Sequence, residues 1–215
     1  MTPDDAIPKA LTGIRDLYAG NLAVHGASSK SVGWKDDSSH LLRFERLARI
    51  IDGDAGDYTV NDWGCGYGAM FGYLDARPGA RLREYIGYDI SPEMIAAARA
   101  QCDPARSRFI LGPEVTEPAD YSFVSGTFNV RLQATDREWE AYVKRQLSVI
   151  YANSRQGLAF NLLTSYVDWK AENLFYADPC NFFDFCKRQL SRHVTLVHDY
   201  ALFEWTLLVS REPRP

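Results

Sequence analysis

The chain has 215 residues, 46% hydrophobic and 24% charged, with a formal net charge of −4 and a pI near 5.6. That is the composition of a soluble globular protein of one domain with a small appendage, and its acidic balance advertises neither a nucleic-acid nor an anionic-membrane partner. No window reaches the roughly 20 apolar residues of a membrane span, and MTPDDAIPKA, with two acids and no apolar core, does not read as a secretory signal.

In chain order, HLLRFERLARIID (40–52) reads as a helix, with Leu41, Leu42, Leu47 and Ile50 near core spacing. YTVND (58–62) is a short β-rich strand, followed by three glycines on alternate positions and a helix-like AMFGYLDA. EYIGYDI (84–90) is a second strand. SPEMIAAARAQC is a helix with Ser91 as N-cap, Pro92 at the first position and Glu93 at the positive end of the helix dipole. SRFIL (107–111) and DYSFVSG (120–126) are strands three and four. DREWEAYVKRQLSVIYAN (136–153) is an amphipathic helix, GLAFNLL (157–163) strand five and CNFFDFCKRQL (180–190) a helix. HVTLVHDY and LFEWTLLV are too close together for a helical crossover and predict an antiparallel hairpin.

Strands alternating with helices imply an α/β fold with a parallel sheet covered on both faces. Residues 1–57 form an N-terminal helical extension and residues 58–215 the core. The stretch 163–178 is longer than usual for its place, which suggests a functional loop, an insertion beside the acceptor site. Cys65, Cys102, Cys180 and Cys186 form no CxxC pair and no metal-ligand spacing with the four histidines. Free thiols in a reducing cytoplasm, and no metal, follow.

The glycines Gly64, Gly66 and Gly68 stand where an open α/β sheet binds its ligand, at the carboxyl end of strand one. They let the main chain approach a ligand closely. About 21 residues after the loop, Asp89 ends strand two, where a carboxylate accepts from both hydroxyls of a ribose. GCGYGA satisfies G-x-G-x-x-G/A, a dinucleotide pattern, and with Asp62 it also satisfies D-x-G-x-G-x-G. A carboxylate at Asp62 suits an ammonium group better than a pyrophosphate. The terminal hairpin also departs from a sheet that continues in parallel.

VNDWGCGYG with YIGYDISPEMIAAAR resembles motif I and the following acidic motif of the class I S-adenosylmethionine-dependent methyltransferases. The resemblance spans roughly residues 58–209. It implies a Rossmann-like αβα sandwich, seven strands in the order 3-2-1-4-5-7-6 with strand seven antiparallel, and S-adenosylmethionine as cofactor. It further implies that Gly64, Gly66 and Gly68 line the methionyl part, Asp62 reaches the amino end, and Asp89 binds the ribose. Ile90 and Met94 would pack near the adenine, Gly112 would lie at its amino group, and Ser125 and Gly126 would lie beside the sulfonium. Asn61 stands where the family usually has an apolar residue.

Catalysis here means positioning and desolvating the acceptor, with deprotonation optional. His198, between the last two strands, is a candidate base; Asn129 after strand four is a candidate acceptor contact; Tyr166 is a candidate wall of the acceptor pocket. Arg43 in the extension is a candidate partner for the methionyl carboxylate, and His25 and Trp34 are entrance candidates. The expected activity is methyl transfer to a small-molecule acceptor. A homodimer, an NAD(P)-dependent oxidoreductase on a similar sheet, and a methyltransferase-like binding module stay open.

Overall fold

The computed structural model describes residues 6–51, 56–79 and 81–213. Five parallel strands form its centre: β1 (Tyr58–Trp63), β2 (Leu82–Asp89), β3 (Ser107–Leu111), β4 (Ala119–Val124) and β5 (Ser154–Thr164). A two-residue β6 (Tyr176–Ala177) pairs with the end of β5. β7 (His193–Val197) and β8 (Glu204–Ser210) make the expected hairpin. The spatial order is β3-β2-β1-β4-β5-β8-β7, with β8 antiparallel to both neighbours. That is the anticipated 3-2-1-4-5-7-6 order, with β6 as an addition inside the stretch read as a loop.

The helices start where their caps place them. In α4 (Pro92–Gln101) the Ser91 hydroxyl accepts from Met94 N at 3.2 Å. In α5 (Asp136–Ala152) Thr135 and Glu138 form a reciprocal capping box. α6 (Pro179–Phe185) starts one residue earlier than expected because Asp178 caps it, and its last turn, Cys186–Leu190, widens to a π-turn. α3 (Ala69–Asp75) follows the glycine loop.

Two apolar layers flank the sheet. One gathers Phe44, Leu47, Val60, Met70, Tyr85 and Ile95; the other gathers Trp63, Tyr88, Trp139, Leu147, Phe160 and Trp205. The two large indoles are fully buried, and each N–H finds a carbonyl: Trp139 Nε1 donates to Phe128 O at 2.8 Å, and Trp205 Nε1 to Ala177 O at 3.0 Å. Their apolar surface is thereby buried without an orphaned donor. Asn61, the polar exception in β1, is fully buried and donates from Nδ2 to Glu117 O at 2.7 Å, tying β1 to the loop before β4.

The N-terminal extension lies within the described residues except for 1–5 and 52–55. It contains the expected α2 (Asp37–Ala48), capped by Asp36, and an unexpected 20-residue helix, α1 (Ala6–His25). Gly13 and Gly20 weaken the intrinsic helix signal there. Ile7, Ala10, Leu11, Ile14 and Tyr18 nevertheless make one stripe at i, i+3, i+4 spacing, and these residues pack inward. Far from standing apart, α2 rests on β5, β8 and α3.

Candidate active site

A cleft of about 980 Å³, counting the part open to solvent, lies at the carboxyl ends of β1, β2 and β4. Its floor is the glycine loop and the two carboxylates. Gly64 donates to Tyr88 O at 2.7 Å with φ of +76°; a Cβ there would fall 2.2 Å from Thr127 Cγ2. No residue with a side chain fits that turn. Asp89 organises the loop: Oδ2 accepts from Gly66 N at 2.9 Å and Oδ1 from Ser91 N at 2.8 Å. Burial raises the pKa of Asp89, and these amides counteract it.

Asp62 has a different environment. It is 2% exposed, and Oδ2 accepts a short hydrogen bond from the Tyr85 hydroxyl. Oδ1, among the described residues, has no partner, although Asp62 lines the cleft. Burial pushes its pKa up to about 7, the Tyr85 bond opposes this, and Asp89 adds to it. A buried acceptor left unpaired costs about 1–3 kcal/mol, so this oxygen is a prepared place for a donor from a ligand. A cationic donor also ionises the acid.

Ile90, Met94, Gly112, Ser125 and Gly126 line the same cleft. The Ser125 hydroxyl is buried with no partner among the described residues. Gly68 caps α3 and faces Cys102 Sγ, behind the wall rather than in it.

The extension supplies the cover, in two pieces. Leu11, Ile14 and Tyr18 of α1 close the end at Asp89. Burial, with the charge of Asp89, raises the Tyr18 phenol to about 12. The turn Ser29–Val32 and α2 close the other end. Val32 Cγ1 lies 3.1 Å from the place of a Cβ on Gly66, and Trp34 fills the place of a Cβ on Gly126 at 2.3 Å. Gly126, with φ of +68°, is where the floor admits that indole. His40 and Phe44 complete this wall, their rings 4.3 Å apart. The sequence signal missed for Tyr18 was the apolar stripe of α1. For His40 it was position: three residues before Arg43, it shares the inward face of α2.

Five candidate residues lie elsewhere. Arg43 is buried, but its guanidinium is taken up by Glu204 of β8, with Nη2–Oε1 at 2.7 Å and Nε at 2.9 Å from both oxygens. Nη1 donates to Ser39 O at 2.8 Å, and the group stacks 3.5 Å above the Trp34 ring. Arg43 therefore holds the wall instead of reaching into the cleft. Glu204 accepts in addition from Asn161 Nδ2 at 2.7 Å, and Asn161 Oδ1 accepts from Gly126 N at 2.8 Å. His198 and Tyr166 are exposed and meet each other with ring centroids 5.9 Å apart, outside the cleft. Asn129 is buried behind Gly126, where its Oδ1 accepts from Leu163 N at 3.3 Å. The stretch 163–178 gives the cleft no wall residue: Phe175 packs in the core against Phe182, and Leu174 bridges Val130. His25, which ends α1, does not line it either.

A sheet of this order with an acid-flanked glycine loop at its switch point defines a Rossmann-like methyltransferase fold. A methyltransferase-domain family model matches residues 60–151. "Putative methyltransferase Rv1506c" of Mycobacterium tuberculosis is 47% identical over 166 residues, 76% of this chain and 98% of the relative. The chain belongs to the class I S-adenosylmethionine-dependent methyltransferases, whose cofactor is S-adenosylmethionine. Magnesium protoporphyrin IX methyltransferase from Synechocystis, solved with S-adenosylhomocysteine, shares the fold at TM-score 0.67 and 12% identity, over 94% of this chain and 100% of that one. DhpI, in a complex with S-adenosylmethionine and HEP, matches at TM-score 0.61 and 15% identity, over 98% of each chain. The dinucleotide oxidoreductase alternative falls with the family assignment.

Proposed function

We propose that this chain transfers a methyl group from S-adenosylmethionine to a small-molecule acceptor. The observation that carries the reading is the pairing of a buried acid, Asp62, with a half-buried one, Asp89, on adjacent strand ends. One, Asp62, has an oxygen free for an ammonium group. The other, Asp89, has both oxygens turned by backbone amides, and each oxygen keeps acceptor capacity for a ribose hydroxyl. The donor set therefore fits the cofactor at both ends. Ile90, Met94 and Gly112 would flank its base, and Ser125 and Gly126 its sulfur.

Bound there, S-adenosylmethionine supplies a methyl group made electrophilic by its sulfonium. The chain's own residues position and exclude water. Trp34, Phe44, Trp63 and Phe128 make an apolar surround, and α1 closes the top. A cleft covered by helices suits a small acceptor better than a polymer. The solved relatives named for magnesium protoporphyrin IX and for plantazolicin support that class. No helix among the described residues is long and apolar enough to cross a membrane. Cys65, Cys102 and Cys186 are buried free thiols and Cys180 an exposed one, which suits the reducing cytoplasm.

Titration calorimetry with S-adenosylhomocysteine tests the cofactor half: micromolar binding is expected, and no heat at high micromolar ligand would refute it. Release of S-adenosylhomocysteine from S-adenosylmethionine, followed across a metabolite extract, tests the acceptor half. Turnover only with added protein or nucleic acid would overturn the small-molecule assignment.

A further inference from the structure

With Arg43 committed to Glu204, the wall over the glycine loop has, among the described residues, no free cation to meet a carboxylate. The guanidinium that does line the cleft, Arg15, pairs with Asp16 and lies at the α4 end, within electrostatic reach of Glu93. Yet the cleft has a definite polarity. Asp89 and Tyr18 mark one end; Asp62 and Gly126 mark the other, under Trp34. At that second end, besides Asp62 Oδ1 and the Ser125 hydroxyl, a third polar side chain is unassigned. His40 is 8% exposed and lines the cleft, and its ring makes no hydrogen bond among the described residues. Trp34, Phe44 and Tyr67 surround it at centroid distances of 6.1, 4.3 and 6.4 Å. Tyr67 belongs to the glycine loop itself, so His40 stands across from the loop that follows Asp62. Burial, with Arg43 close by, lowers its pKa to about 4, against a smaller opposite effect of Asp37. The ring is neutral at pH 7 and offers one N–H donor.

Resting on the cofactor reading above, we infer that His40 is the specificity residue for the amino-acid end of the cofactor: its ring N–H donates to the methionyl carboxylate while Asp62 Oδ1 takes the ammonium. In a ligand these two groups sit on one carbon, so a donor on the cover and an acceptor on the floor of the same cleft read both at once. The unusual element is a neutral imidazole in a role that a guanidinium would fill. Arg43 is three residues too far along α2 and already neutralised, and it serves by fixing the aromatic wall from which His40 projects.

The test compares S-adenosylhomocysteine with its decarboxylated analogue, which keeps the amine, by calorimetry on the full chain. His40→Phe keeps the ring stacking and removes the donor; His40→Gln restores an N–H. The wild-type chain is expected to prefer the carboxylated ligand by tenfold or more, the scale of a hydrogen bond to a charged group. His40→Phe should abolish that preference while binding the decarboxylated ligand within about twofold of wild type, and His40→Gln should recover part of it. A preference unchanged in His40→Phe, or equal losses for both ligands, overturns the inference. If the wild-type chain binds neither ligand, the cofactor reading itself fails and this inference with it.

Discussion

The floor and the cover of the cleft are built on different principles. Floor residues bond to neighbours within the motif: Gly64 to Tyr88, Gly66 to Asp89, Asp89 to Ser91. Three strand ends hold them, and the backbone does most of the work. The cover consists of side chains, and its fastening is long-range. Arg43 and Glu204 are 161 residues apart, and through Asn161 and Gly126 they connect α2, β8, β5 and the end of β4. A backbone-made floor tolerates side-chain change wherever no Cβ enters it. A cover fastened by one buried ion pair depends on both partners at once.

The largest expected effect follows from breaking that fastening. Arg43→Ala or Glu204→Ala leaves a buried charge unpaired and should cost about 3–5 kcal/mol in urea unfolding. Replacing both residues with apolar ones should cost far less than the sum of the single changes. A loss below about 1 kcal/mol for either single variant would show that the cover is held by something else.

Gly126→Ala attacks the contact between floor and cover. A positive φ and a Cβ at 2.3 Å from the Trp34 ring should together cost about 2–4 kcal/mol. Trp34 should move outward, which a change in indole fluorescence relative to Trp34→Phe controls would reveal. Stability within 0.5 kcal/mol of wild type would contradict the contact.

Asp89→Ala tests the floor alone. Calorimetry should show S-adenosylhomocysteine weakened by about 1.5–3 kcal/mol through loss of the ribose contact. The cover should stay in place, with Trp34 fluorescence unchanged. Unaltered affinity would remove Asp89 from the ribose site.

The smallest expected effect is a pH dependence. Asp62 in the free chain is protonated below about 7. An ammonium ligand favours the ionised acid, so binding releases a proton and falling pH opposes it. Affinity for S-adenosylhomocysteine should therefore drop about tenfold from pH 8 to pH 6 and level off above 7. Asp62→Asn should flatten the curve. A wild-type curve already flat over that range would place the ligand's amine elsewhere.

The same division decides what could be read from the chain. The strand order, the glycine loop and both acids were legible because each is a local pattern: a β-rich run, a turn that excludes a Cβ, a carboxylate at a strand end. The polar Asn61 in β1 looked like a departure; its bond to the Glu117 carbonyl, 56 residues away, explains it. His198 and Tyr166 were drawn to the site by their position after strands, which fixes the edge of the sheet but not the direction of a side chain. Both ended in solvent. Arg43 pairs with Glu204 instead of standing free for a carboxylate, and Glu204 carries no local sign in the sequence of being buried.

By itself, then, the sequence determined the sheet, its switch point and the placement of the two acids, because hydrophobic period, turn sterics and strand-end placement act over a few residues. Only the tertiary structure decided what closes over them. Which of Arg43 and His40 faces the ligand depends on a carboxylate brought from the far end of the chain, and α1 reaches Asp89 only because its stripe packs across α4 and α5. Those choices are made by burial and charge pairing across the fold, which have no period along the chain.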